Sequence, residues 1–403
     1  MHFMPILRAL LRNKTGAILI AAQIAVTMTV IVNATHMIID RNQLMERPSG
    51  VDEANIFYLS STGFAEDFNE KQAIEDDLLK IRNTPGVVDA FQSNSIPLSG
   101  GGWSMGLALE PGQTADTTSV AIYFSDEHAI KTLGVELIAG ENFKPADIRW
   151  RERSQTKWPD KFIISKAMAE SLFPDDWQSA VGKTVYISET QPATIIGIMK
   201  QLQAPWNGWN GVERTMLSPE HTLFGSTRYI IRTEPGQRDR LMPQIEEMLA
   251  KNNPGRILRD MQTMEETRER SYRGHNGISV VLTTLISALT IVTALGIVGL
   301  ASFSVNRRKK QIGTRRALGA NRGDILSYFM VENFIITLIG VLLGAAMTIG
   351  LNIMLVEMLS LTPIDWYFVP VGMLVLLAIG QLAVLGPARR ASLIPPAIAT
   401  RTA

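Results

Sequence analysis

Few residue groups in this chain have the types and spacing that chemistry requires. Gly102-Trp103-Ser104-Met105-Gly106 has the G-x-S-x-G spacing that presents a serine nucleophile on a strand-to-helix turn. Its neighbours do not supply that turn. Ser99 to Gly102 is a run of small residues with no buried strand before it, and Glu110-Pro111-Gly112 interrupts any helix after it. Gly182-Lys183-Thr184 ends like a phosphate-binding loop, but G-x-x-x-x-G-K-T needs glycine where Trp177 stands. It reads as a turn into a strand, and the sequence contains no Walker loop. The five histidines, His2, His36, His128, His221 and His275, include no pair at ligand spacing on one helix. Asp126 and His128 lack a third ligand and read as surface residues. The absence of cysteine excludes thiolate metal sites, cysteine nucleophiles and disulfides. These readings predict no catalytic residue, no bound cofactor and no metal site, hence a chain that is not itself an enzyme.

The elements that would carry function follow from the distribution of charge. Over 403 residues, 39 basic and 38 acidic side chains nearly cancel, which excludes a strongly basic nucleic-acid binder. Four stretches contain no Asp, Glu, Lys or Arg: Thr15 to Ile39, Gly274 to Asn306, Asn333 to Val356 and Trp366 to Ala388. Each is long enough to span a bilayer as a helix. Val32-Asn33-Ala34 resembles a signal-peptidase site, but the first apolar run is too long for a secretory signal. Polar residues within the spans are sparse: Gln23, Asn33, Glu332, Asn333, Asn352 and Gln381 form no charged path, which disfavours an ion-coupled carrier. Gly340 and Gly344 form a G-x-x-x-G pair suited to close helix packing.

Lys and Arg give the orientation. Arg8, Arg12 and Lys14 precede the first span, and Arg389, Arg390 and Arg401 follow the fourth, both without acids. Between the second and third spans, Arg307, Arg308, Lys309, Lys310, Arg315, Arg316 and Arg322 face the single acid Asp324. All three segments should be cytoplasmic, as should both termini. The predicted division is a cytoplasmic N-terminus 1–14, spans 15–39, 276–306, 326–356 and 366–388, an extracytoplasmic domain 40–275, a cytoplasmic segment 307–325 and a cytoplasmic C-terminus 389–403.

The extracytoplasmic segment carries 34 acidic and 26 basic residues and contains a duplicated pattern. Ile56-Phe57-Tyr58-Leu59 reads as a strand, Ile74, Leu78 and Ile81 mark one helix face, and Pro85-Gly86 leads into Val87 to Phe91. Tyr229-Ile230-Ile231, then Leu241, Ile245, Met248 and Leu249, then Pro254-Gly255 and Ile257-Leu258, repeat that order. Either copy alone leaves apolar faces uncovered, which predicts one layered α/β lobe from both, about 52–98 and 192–262. An inserted β-rich lobe would fill about 99–191, with one continuous mixed sheet as the alternative. The fold class is thus four transmembrane helices with a large α/β (α+β) extracytoplasmic domain of two lobes.

In the cytoplasmic segment, Ile312, Ala317 and Leu318 interleave with charges, and Gly313 and Gly319 flank a short amphipathic element. Lys309-Lys310-Gln311-Ile312-Gly313-Thr314-Arg315-Arg316-Ala317-Leu318-Gly319-Ala320 resembles the R-x-x-E-I-G-x-x-R-A-L-G-A motif of the MacB/FtsX-type permeases of ABC transporters. The resemblance covers nearly the whole chain, through Leu11-Arg12-Asn13-Lys14, Leu137 to Phe143, Ile163 to Ala169, Val181-Gly182-Lys183, and Pro387-Ala388-Arg389-Arg390-Ala391 before Pro395-Pro396. Gln311 stands where the family usually has Glu, and Thr314 where it has an aliphatic residue.

The resemblance implies an inner-membrane permease dimer, homo- or heteromeric, driven by separate ABC ATPase subunits that bind the ATP. It also implies a periplasmic adaptor, an outer-membrane channel, and export of peptides, toxins, antibiotics or lipid-linked cargo. An FtsX-like regulator that switches an extracytoplasmic enzyme is the alternative. The residues expected to couple to the ATPase are Gln311, Gly313, Arg316, Ala317, Leu318, Gly319 and Asp324, supported by Arg389 and Arg390.

Overall fold

The computed structural model describes residues 14–114, 117–359 and 362–396. Arg8, Arg12 and Arg401, like His2 and Leu11 to Asn13, lie outside them. In chain order the elements are α1 (Lys14–Glu46), β1 (Ile56–Gly63), α2 (Glu70–Arg82), β2 (Val87–Ser93), β3 (Trp103–Ala108), β4 (Thr118–Ser125), α3 (Ala129–Leu133), β5 (Leu137–Gly140), β6 (Arg149–Glu152), β7 (Lys161–Ser165), α4 (Lys166–Leu172), β8 (Thr184–Ile187), β9 (Gln191–Met199), β10 (Thr215–Leu223), β11 (Ser226–Thr233), α5 (Arg238–Asn252), β12 (Arg256–Thr263), α6 (Met264–Arg307), α7 (Lys309–Ala317), α8 (Arg322–Leu359) and α9 (Phe368–Ser392). They divide into an α/β unit, residues 46–274, and a helical unit made of the rest.

The four strands of the duplicated pattern form one antiparallel sheet in the order β12-β1-β11-β2. Side chains alternate across a strand, so Phe57 and Leu59 of β1 and Tyr229 and Ile231 of β11 share one face. That face packs on Ile74, Leu78 and Ile81 of α2 and on Leu241, Ile245 and Leu249 of α5. α2 starts where the Asn69 side chain accepts a hydrogen bond from the Gln72 N–H at 3.1 Å. Beneath the helices, Asp77 and Arg256 form a fully buried ion pair, and the Tyr229 hydroxyl donates to Asp77 Oδ2 at 2.6 Å. The opposite face, Ile56, Tyr58, Phe91 and Ile230, packs against Tyr123, Ile163, Met199 and Leu217 of the second sheet.

The second sheet runs β4-β3-β8-β9-β7-β10, and parallel pairing of β10 with β4 closes these six strands into a ring. Val120, Ile122, Phe162, Ile164, Val185, Ile195 and Met216 fill it. The expected lobe boundaries need correction here: β9 and β10, assigned from sequence to the first lobe, pair within the ring. The cause is non-local. β9 pairs with β7 in parallel, and β10 pairs with β4, β6 and β7, so membership is set by partners rather than by the strands' own patterns.

In the helical unit, α1, α6, α8 and α9 are each long and apolar enough to cross a membrane. Ile20, Ile24, Met28 and Val32 recur every fourth residue on α1 and enter a core with Ile336 and Val341 of α8 and Leu376 and Val384 of α9. The G-x-x-x-G pair lies where α8 approaches α1. A Cβ built on Gly340 would lie 2.8 Å from Ile24 Cβ, and one on Gly344 would lie 2.8 Å from Met28 Cβ. Sparse polar groups join helices. Asn33 and Thr29 donate to carbonyls of Thr348 and Gly344, both at 3.4 Å, and Asn333 Nδ2 donates to Gly380 O at 2.9 Å. α6 is 44 residues long, begins at Met264 rather than near 276, and contains no proline.

Candidate coupling site

α6 ends at Arg307, where the chain breaks regular helix at Arg308 (φ −103°, ψ 9°) before α7 begins. Arg308 Nη1 is fixed by Glu332 of α8, at 3.0 and 3.1 Å from its two carboxylate oxygens, with the Tyr328 hydroxyl at 3.4 Å. Glu332 is 7% exposed. A buried carboxylate is costly unless paired, and Arg308 supplies the pair. In the sequence Glu332 is one of the sparse polar residues of the spans that form no charged path. Its partner is 24 positions earlier, and no local spacing reveals it.

α7 is two-faced. Ile312 is buried with Val305 of α6, Ile325 and Phe329 of α8, and Ala388 and Ala391 of α9, with Gly313 buried beside it. Gln311, Thr314, Arg315 and Ala317 are exposed. Arg315 lies over the Tyr328 ring, 4.8 Å from its centroid. Arg316 is half-buried, with an Nε that has no hydrogen-bond partner among the described residues.

The end of α7 explains Gly319, one of the two glycines that flank the amphipathic element. The N–H of Gly319 donates to Arg316 O at 3.2 Å and that of Ala320 to Arg315 O at 3.0 Å, which is the paired pattern of a Schellman cap. That cap requires a left-handed residue, and Gly319 has φ +100°. The turn leaves Leu318, 83% exposed, on the outside. Asp324 then caps α8: Asn321 N–H donates to Asp324 Oδ2 at 2.9 Å and Asp324 N–H to Asn321 Oδ1 at 2.8 Å. Arg389 and Arg390 are exposed near the end of α9, whose Ala388 and Ala391 pack on Ile312. The nine named residues thus sit on or around a short element that is anchored on one face and open on the other.

The α/β unit holds the remaining chemical candidates. Ser104 lies inside β3, opposite Ala121 of β4, so the residues around it form a strand rather than a nucleophile turn. Gly182, φ +82°, makes a turn before β8. The expectation that Asp126 and His128 are surface residues needs correction for Asp126, which is buried, whereas His128 stays partly exposed. Asp126 is 2% exposed and bonds Arg82 Nη2 at 2.7 Å, while His128 Nδ1 lies 2.9 Å from Asp89 Oδ1. His221 Nε2 lies 3.8 Å from Asp126. Burial raises Asp126 to about 6 despite Arg82. Burial, with Arg82 and His128 nearby, lowers His221 to about 4. The hydrogen bond with Asp89 raises His128. The correction has a simple cause: β2, β4 and β10 bring these groups together across the two sheets, which residue spacing along one strand does not show.

Two family models match. The MacB-like periplasmic core domain matches residues 16–248, and the FtsX-like permease C-terminal model matches residues 283–396. The macrolide export ATP-binding/permease protein MacB of Chromobacterium violaceum is 27% identical over 279 residues, covering 65% of this chain and 40% of that protein. The ABC transporter permease YknZ of Bacillus subtilis is 29% identical over 254 residues, covering 59% of this chain and 61% of that protein. The chain therefore spans less than two thirds of the length of either relative. The crystal structure of the extracellular domain of a noncanonic ABC-type transporter YknZ from Gram-positive bacteria aligns with a TM-score of 0.32 at 18% identity, covering 50% of this chain and all of that one.

Proposed function

The chain belongs to the family of ABC transporter permeases built from a MacB-like periplasmic core domain and an FtsX-like C-terminal domain, and from that premise we propose that it is a mechanical transmitter. An ABC ATPase carried on a separate subunit binds and hydrolyses ATP and docks on the open face of α7. Displacement of α7 passes through Arg308 and Ile312 into α6. The observation that carries this reading is the continuity of α6, which runs without proline from the α/β unit to the coupling site.

The first end of α6 is gripped within the α/β unit. Met264 is 1% exposed among Tyr58, Phe91 and Ile230, and Thr267 Oγ1 lies 2.9 Å from the Tyr58 hydroxyl. Arg268 pairs with Glu53 at 2.6 Å. Its last turn is held by Val305 against Ile312. At 1.5 Å per residue the helix is about 66 Å long, enough to cross a bilayer with several turns to spare. A helix held at both ends transmits axial displacement and rotation without needing a substrate path through the bundle.

In this reading the chain sits in the bacterial inner membrane with both termini cytoplasmic, and acts as a homo- or heterodimer. The work appears in the periplasmic domain, which moves peptide, toxin, antibiotic or lipid-linked cargo with a periplasmic adaptor and an outer-membrane channel. No cofactor binds the chain itself.

The test is Ala288→Pro, which breaks α6 between its two anchors and costs about 3 kcal/mol of helix stability. The variant should still co-purify with its ATPase, identified by mass spectrometry after gentle detergent extraction, yet lose export. Export at the parental rate from a variant that reaches the membrane would end the lever reading.

A further inference from the structure

We propose that the helical unit binds an anionic lipid at the end that carries the basic segment, with its acyl chain in a cleft among α1, α6, α8 and α9 and its phosphate on Arg307. The cleft has a volume of about 370 Å³, within the range of small-molecule sites. Its walls are apolar: Ile20 of α1, Ile297 and Leu300 of α6, Ile336 of α8 and Val384 of α9. Leu19 and Phe303 flank it and are 60% and 62% exposed, so the opening lies on helix surface that hydrocarbon would otherwise cover.

Charge at the mouth selects the occupant. Arg307, Arg308 and Glu332 are the charged residues of the lining. Arg308 and Glu332 neutralise each other at 3.0 Å. Arg307 is exposed and has no hydrogen-bond or ion-pair partner among the described residues, so one positive charge is left over. Arg307 is also the last residue of α6, the end of a helix where a cation is favoured, and it opens the basic run 307–316. Basic pockets between transmembrane helices favour anionic headgroups over zwitterionic ones, and apolar walls favour a lipid over a free anion. Because Arg308 starts the break before α7, a lipid held here bears on the coupling site. The proposal does not depend on which cargo, if any, is moved.

The experiment uses the full chain, delipidated and returned to vesicles of equal parts phosphatidylglycerol and phosphatidylcholine, with native mass spectrometry of the retained lipid. Phosphatidylglycerol should be retained in preference. Arg307→Gln should lower its retention about fivefold, the effect of one surface cation. Arg307→Lys should restore it, and Ala301→Trp should abolish it by filling the cleft. Circular dichroism and gel filtration confirm that each variant is folded, and Arg307→Gln alone decides the matter if Ala301→Trp is not. Equal retention of the two lipids, or unchanged retention in Arg307→Gln, would overturn the proposal. So would displacement of the lipid by millimolar inorganic phosphate, which would identify a free-anion site. Cross-linking between two copies through position 301 with no lipid retained would assign the cleft to a second copy instead.

Discussion

Replacing Leu318 by Asp isolates the contact on which the coupling proposal depends. The side chain is 83% exposed at the C-cap of α7, so its removal takes little from the fold of the chain itself. If an ATPase groove covers it, full burial of a leucine contributes about 1.5–3 kcal/mol. Losing that corresponds to a rise in Kd of about 10- to 150-fold, before any cost of burying the new carboxylate. The assay is a binding titration of the purified ATPase on nanodiscs containing the variant, with nucleotide hydrolysis as a second readout. Ile312→Ala is the contrasting variant: Ile312 is 4% exposed and ties α7 to α8 and α9, so its truncation should destabilise that end of the bundle by about 2–5 kcal/mol. Binding of Leu318→Asp within about twofold of the parent would refute the assignment of α7's open face to the ATPase.

Three further outcomes are expected. In His221→Gln the raised Asp126 acts unopposed by a histidine that resists protonation: its contribution is fully present below about 3.8 and is lost as pH rises through about 6, so protection of β4 amides from hydrogen exchange should grow on acidification from pH 7 to 4 by up to about 3 kcal/mol relative to the parent. Flat protection would show that Asp126 titrates normally. Gly344→Leu should force α8 away from α1 and lower the thermal midpoint in detergent, a loss of about 1–3 kcal/mol, whereas Gly350→Leu, with open space at its Cβ, should leave the midpoint unchanged. Asp77→Ala strands the buried Arg256 and should cost about 3–5 kcal/mol in denaturant unfolding, while the double variant Asp77→Leu, Arg256→Met should recover most of it; equal losses in both would place the cost elsewhere.

The parts of this fold that were legible in sequence are those written in local periodicity. Long runs without charge mark α1, α6, α8 and α9, and short continuous runs of apolar and aromatic residues, Ile56 to Leu59 and Tyr229 to Ile231, mark the two strands at the centre of the first sheet. The cap at Gly319 was visible as a glycine after a helical run. Asn321-x-x-Asp324 carries its capping box in plain spacing, although the resemblance points to Asp324 only as an ATPase-coupling residue. What local patterns could not show is pairing at a distance. Nothing in the residues of β9 or β10 names their partners, and pairing with β7 and β8 for β9, and with β4 and β7 for β10, puts them in the ring. Asp126 and His128 read as a polar surface pair because Arg82, Asp89 and His221, which pair with them and help to bury Asp126, come from α2, β2 and β10. Glu332 likewise acquires meaning only through Arg308.

Closure of the β4-β3-β8-β9-β7-β10 ring restricts how anything can recognise that lobe. A sheet with a long free margin can be extended by a visiting strand, whose backbone supplies affinity with little regard to its side chains. Among the described residues, the strands appended outside the ring, β5 and β6, are only four residues each. Recognition of the lobe must therefore be spelled out in side chains and loops, and loops can change their lettering without opening the scaffold that holds them.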